Sequence, residues 1–187
     1  MLSKVPIAHL PTGLSVYVAL YFDVKNPDFI CEQLINANSV FEFALIDAKS
    51  ILSPMHLLAA VFRAINDAEA KRMKSRNIHS EVVFSLSSNN NIAESFRKFG
   101  VTDKTKDLLV VKITDSTPEP FERLLNEYVQ GDSVAFTAEN LVKSTDVAHI
   151  RKAYKLPLTS RPAVDQPCQQ QELEISILGL MALRGAH

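Results

Sequence analysis

Four cations fall within six residues, at Lys71, Arg72, Lys74 and Arg76, and Arg97 and Lys98 follow further on. Dense positive charge on a chain of formal net charge -1 suits phosphate contact, because the local field attracts a polyanion that the whole molecule does not. The plainer explanation is that cations at a helix C-terminus complement its dipole and stay solvated. Arg97 and Lys98 join the cluster only if the short helix that carries them lies alongside.

Other chemistry is thinly represented. The five histidines, His9, His56, His79, His149 and His187, are dispersed, with no pair at metal-ligand spacing, so no metal site is expected. Cys31 and Cys168 lie far apart, form no disulfide framework and have nothing beside them to lower a thiol pKa. Cys31 sits in an apolar helical stripe and reads as core filler. Five scattered glycines make neither a phosphate loop nor a dinucleotide fingerprint, and neither a Gly-x-Ser-x-Gly elbow nor a His-Glu-x-x-His pair occurs. No catalytic residue and no cofactor is expected.

The final helix, expected over 172–184, is the second feature that could carry function. Leu173, Ile177, Leu180 and Met181 make one stripe at helical spacing, and Ile175, Leu178 and Ala182 another, with Leu183 between them. A helix apolar on most sides needs cover on more than one. Burial within the chain is one answer, and a partner protein on the second face is the other. Gly179 lowers helix propensity there and would let another backbone approach.

The elements that must position these residues alternate. Leu14 to Phe22 is Val- and Tyr-rich and reads as a buried strand, with Phe43 to Ile46, Ile78 to Leu86 and Leu108 to Ile113 as further strands. Asn26-Pro27 and Ser53-Pro54 each give a cap followed by Pro at the first helical position. The second opens the longest helix, with Leu58, Val61, Phe62 and Ile65 in one stripe, ending in the basic run. Asn91 caps a short helix that Gly100 stops, and Pro118 to Gln130 is another helix, with Phe121, Leu124, Leu125 and Tyr128 inward. Shorter helices follow near Glu139 to Lys143 and Asp146 to Lys155. Three prolines and many glutamines mark residues 157–171 as a flexible loop. The fold class is therefore α/β (α+β), a single mixed sheet packed with helices and a helical C-terminal part.

A length of 187 residues suits one domain over 1–187, and 47% hydrophobic with 22% charged residues is ordinary for a globular protein. The N-terminus lacks a charged start followed by a long apolar run, so no secretory signal is expected. The apolar stretches are too short and interrupted for a membrane span, and no membrane partner is expected. The expectation is an intracellular, reduced, soluble domain.

Residues 74–101 read KSRNIHSEVVFSLSSNNNIAESFRKFGV and lead on to LLVVKI at Leu108 to Ile113. A Lys-x-Arg run, a Ser-Glu step, Leu-Ser, an Asn-rich turn and a helix ending in Lys-Phe-Gly together resemble the TPRKB family, the kinase-binding subunit of the KEOPS (EKC) tRNA-modification complex. Asp23-Val24-Lys25-Asn26, Ile46-Asp47 before the long helix, Ile150-Arg151-Lys152-Ala153-Tyr154-Lys155-Leu156 and the terminal Ala182-Leu183-Arg184-Gly185 agree in order, the last with fungal members. The resemblance covers most of the chain, apart from the Pro- and Gln-rich segment at 162–171.

The resemblance implies a non-catalytic subunit on an α/β fold that binds the small lobe of the complex's atypical kinase and, through it, reaches the Kae-type catalytic subunit. That complex makes threonylcarbamoyl-adenosine at position thirty-seven of tRNAs reading ANN codons. The family contacts the tRNA acceptor end, is linked to telomere maintenance and transcription, and works in nucleus and cytoplasm. On that footing Leu173, Ile177, Leu180, Met181 and Arg184 become the expected kinase interface, aided by Ile78. Lys71, Arg72, Lys74, Arg76, Arg97 and Lys98 become the expected tRNA contacts. Two rival readings come from other classes. One is a stand-alone small-ligand-binding or enzymatic domain of similar fold, which would need a pocket with converging titratable groups. The other is a free-standing RNA binder, which the near-neutral charge disfavours.

Overall fold

The computed structural model describes residues 2–36, 38–157 and 166–184. Alternate residues of the central strands serve two cores. Val16, Val18 and Leu20 of strand β2 (Ser15–Phe22), with Leu109, Val111 and Ile113 of β4 (Leu108–Thr114) and Ala44 and Ile46 of β3 (Ala44–Asp47), enter one core. Ala19, Tyr21, Leu45, Leu108 and Val110 enter the other. Because both faces are covered, these strands read as unbroken apolar runs rather than alternating ones, which is why they were legible in the sequence.

With β1 at Ser3–Val5, the sheet order is β1-β2-β4-β3, and every pairing in it is antiparallel, where a mixed sheet was expected. Two short strands escape sequence reading, β1 (Ser3–Val5) and β5 (Asp132–Val134). They share one edge of β2, β1 against Val16 to Val18 and β5 against Leu20 to Phe22. Three residues carry too little periodicity to be seen.

Helices α1 (Pro27–Ile35) and α5 (Glu119–Tyr128) cover the second core through Ile30 and Leu125. Tyr128, expected inward, is partly exposed and instead stacks on Phe29, ring centroids 5.9 Å apart. The first core is roofed by α2 (Pro54–Glu69), α3 (Ile78–Ser85), α4 (Ile92–Phe99), α6 (Ala138–Ser144), α7 (Val147–Ala153) and α8 (Gln166–Ala182). Ser53 caps α2, its Oγ accepting from the His56 amide at 3.0 Å, and Pro54 follows as read. Gly100 follows α4 at a position where only glycine fits: a Cβ there would lie 2.7 Å from the Phe96 carbonyl oxygen.

Two further expectations are corrected. The segment 78–86 is not a strand but helix α3. Asn77 caps it, its side chain accepting from the Ser80 amide at 2.8 Å, and Glu81 folds back to accept from the Lys74 and Ser75 amides at 3.0 and 2.8 Å. Val82, Val83, Phe84 and Leu86 are all buried, so the helix has no polar face to reveal a 3.6-residue period, and its β-branched residues mimic a strand. The second correction is at 157–171: the chain is helical from Gln166, so α8 starts six residues before the expected Glu172, while 158–165 lie outside the described residues.

Candidate functional site

Helix α2 ends in a turn that needs a left-handed residue. The Arg72 amide donates to the Asp67 carbonyl at 2.7 Å and the Lys71 amide to Ala68 at 3.0 Å, the paired bonds of a Schellman cap. The left-handed position is Lys71, at φ 54°, where glycine is the usual occupant. The turn throws Lys71, Arg72 and Lys74 to one side, all three exposed.

They line a cavity of about 1050 Å³ with Arg63, Asp67, Glu81, Phe84, Asn90, Ile92 and Arg184. Five of these side chains are cationic. Arg63 and Arg184, which sequence reading did not assign to the cluster, come from the middle of α2 and the end of α8. The signal that could have found Arg63 is its spacing on α2, two turns before the basic run.

The wall is held by charge and hydrogen bonds. Asp67 accepts from Arg72 Nη2 at 3.2 Å through Oδ1, and its Oδ2 lies 3.7 Å from Arg63 Nε. Arg63 donates to the Met181 carbonyl and, at 3.2 Å, to the Arg184 carbonyl, which caps the end of α8. Arg184 is buried, stacks 3.9 Å over the Phe84 ring and donates to the Phe84 carbonyl. Burial, reinforced by repulsion from Arg63, brings its pKa down to about 10. Glu81 is fully buried, and Oε2 accepts from the Lys74 amide, the Ser75 amide and the Ser75 hydroxyl. Its Oε1 has no hydrogen-bond partner among the described residues.

The expected cations divide. Lys71, Arg72 and Lys74 converge, whereas Arg76 opens into a different, smaller concavity beside Gln33, Phe41 and Asn77. Arg97 is exposed on the last turn of α4 and does not line the cavity. Lys98 is engaged elsewhere, 2.6 Å from Glu94 and donating to the Ala153 carbonyl at 3.1 Å.

The expected kinase-facing residues prove to be largely internal. Leu173, Ile177 and Met181 are buried in the first core, and Leu180 is partly buried against it. Ile78 packs on the same core from the start of α3, and Arg184 is the buried cavity wall just described. The stripe that reads most clearly in the sequence is therefore the one the chain uses for itself. The second stripe is what α8 presents outward. Ile175 is 65% exposed and Leu183 56%, and a Cβ on Gly179 would meet nothing within 4 Å.

Beside this face, α2 and α8 form a groove of about 560 Å³ lined by Ala59, Phe62, Asn66, Leu178, Met181 and Ala182, together with Arg63, Asp67 and Arg72. Met55 and Phe62 on α2 are 57% and 39% exposed. Exposed apolar side chains on two packed helices suit another protein surface.

The remaining candidates carry less. Burial pushes the Cys31 thiol up, with Asp103 and Asp28 adding to the effect, the opposite of what a nucleophile needs. The side chain of Cys168 lies outside the described part. No group of three or more His, Cys, Asp or Glu able to hold a metal occurs among the described residues, and no described helix is long and apolar enough to cross a membrane.

Comparison with known proteins gives a consistent result. The profile of the family described as kinase binding protein CGI-121 matches residues 21–185. The chain is similar to the EKC/KEOPS complex subunit cgi121 of Aspergillus terreus, 50% identical over 99% of this chain and 97% of the relative. It is 48% identical to the subunit of that name from Aspergillus fumigatus, with the same coverage. It is 41% identical to that of Neurospora crassa, over 98% and 99% of the two chains.

Proposed function

Because this chain belongs to the kinase binding protein CGI-121 family, we infer that it is a non-catalytic subunit of an EKC/KEOPS complex, docking the complex's atypical kinase on its α2/α8 face and taking tRNA in the adjoining cation-lined cavity. The observation that carries the docking half is the set of exposed apolar side chains on and beside α2 and α8, Met55, Phe62, Ile175 and Leu183, which the chain's own core leaves uncovered. Its relatives bear the name of a complex subunit, so a protein occupant for these side chains is the expected one. The kinase would present its small lobe, and the Kae-type catalytic subunit would be reached through it. Threonylcarbamoyl-adenosine formation on tRNA in nucleus and cytoplasm would be the activity served.

The RNA half rests on five cations around one cavity in a chain of net charge -1. Such a cavity takes phosphate without demanding sequence readout. A tRNA end with unpaired nucleotides is the ligand whose size and charge suit it.

The test is co-elution with the kinase subunit of the same organism in size-exclusion chromatography with light scattering. The wild-type chain should form a one-to-one complex, and the double variant Ile175→Glu, Leu183→Glu should elute alone while melting at the wild-type temperature. A complex that survives both substitutions would remove this face from the interface. A wild-type chain that never binds the kinase would overturn the docking reading itself.

A further inference from the structure

The groove between α2 and α8 and the cation cavity are not separate places. Arg63, Asp67 and Arg72 line both. Asp67 is the hub: its carboxylate pairs with Arg72 at 3.2 Å and with Arg63 at 3.7 Å, while its own side chain is 17% exposed. Arg63 in turn holds the last carbonyls of α8, at Met181 and Arg184, and Met181 also lines the groove. Arg72 is the loose member, with its side chain 67% exposed.

Resting on the assignment of these two sites to kinase and RNA, we propose that they are positively coupled: a protein seated in the α2/α8 groove strengthens anion binding in the cavity through the shared wall Arg63–Asp67–Arg72. Two physical effects act in the same direction. A partner over the groove removes water from one side of Arg72 and Arg63, so their attraction for a phosphate is less screened. It also confines the Arg72 rotamers, so the ordering cost of gripping a phosphate is met before the anion arrives. Contact along Met181 and Ala182 further fixes the end of α8, and with it the backbone that Arg63 and Arg184 organise. By linkage, a bound anion must tighten the kinase complex by the same factor.

The experiment uses the full chain, the kinase subunit and a short single-stranded RNA oligonucleotide as probe, too small to span both proteins. Probe affinity is measured for the chain alone and for the chain saturated with kinase, and kinase affinity is measured with and without saturating probe. The expected result is a gain of about tenfold in each direction, falling to about one in the isosteric variant Asp67→Asn, checked for folding by thermal melting. Arg72→Gln should do the same.

A gain that persists in both variants would mean that the kinase binds the probe itself, and would overturn the coupling. So would a factor of one in the wild type with both separate affinities intact, or a loss of probe affinity in the complex, as would occur if the kinase set a carboxylate against Arg72. Failure of the wild-type chain to bind kinase at all would instead sink the docking reading, and the coupling with it.

Discussion

His56 Nε2, one turn into α2, lies 2.8 Å from the Tyr154 hydroxyl just past α7. The Leu52 amide donates to His56 Nδ1 at 3.2 Å, so the ring proton sits on Nε2 and is given to Tyr154, which donates in turn to the Leu86 carbonyl after α3. One buried chain of hydrogen bonds thus ties together three of the helices that roof the first core, α2, α3 and α7. Tyr154→Phe would leave the Leu86 carbonyl and the His56 proton buried without partners. It should cost about 2 kcal/mol or more in chemical denaturation, since each orphaned group carries a penalty of about 1–3 kcal/mol. A wild-type midpoint would show that the chain of bonds contributes nothing.

His56 also sets a pH limit. Burial lowers its pKa from 6.5 to about 3, and His79, whose Nε2 accepts from the Ile113 amide, is lowered by burial and by Lys112 to about 3 as well. The folded state therefore holds both rings neutral, whereas the unfolded chain protonates them below about pH 6.5. Their contribution is fully present above pH 6.5 and is lost as pH falls toward 3, at about 1.4 kcal/mol per pH unit for each ring. Denaturation midpoints taken from pH 7.5 down to 4.5 should fall steadily. His56→Gln should flatten the slope by about half, and an unchanged profile would count against the assignment.

Lys71 holds the left-handed position of a helix cap that suits glycine. Lys71→Gly should raise stability by about 1 kcal/mol by relieving the Cβ contact, while weakening RNA binding through loss of a cation. Stability and affinity moving in opposite directions would mark a residue kept for its charge. A variant that is less stable than wild type would contradict this account of the turn.

Charge removal from the cavity should show in the salt dependence. The triple variant Lys71→Ala, Arg72→Ala, Lys74→Ala should reduce the slope of log affinity against log salt by about 2, at about 0.7 per lost contact on a single strand. Arg97→Ala, which lies outside the lining, should leave the slope unchanged. Equal effects from both would show that the protein offers diffuse charge and not a defined site.

The two faces of α8 should separate cleanly in stability. Ile177→Ala removes a fully buried side chain and should cost about 2–5 kcal/mol. Ile175→Ala, on the exposed side of the same helix, should change stability by less than about 0.5 kcal/mol. Urea titration of the two variants decides it, and similar losses would mean that both faces are packed in solution.

Family membership, the α/β class, the three longest strands and the capped starts of α2 and α4 were all written locally in the chain. Apolar runs of strand length and Ser-Pro or Asn caps act through neighbours a few residues apart, so no tertiary knowledge is needed to read them. Helix α3 was hidden because full burial erases the polar face that gives a helix its period, and β1 and β5 because three-residue strands exist only through their register on β2. The site was half legible. Lys71, Arg72 and Lys74 stand together in sequence with Arg63 two turns earlier on the same helix, but only the packing of α8 along α2 brings Arg184 to them, while Arg76 lines another concavity and Lys98 is held by Glu94 and the Ala153 carbonyl. The same packing decides which apolar stripe of α8 is left outside. A sequence with two such stripes fixes the helix but not its rotation, because burying either releases similar hydrophobic energy in isolation, and the shape of the α2 surface selects between them.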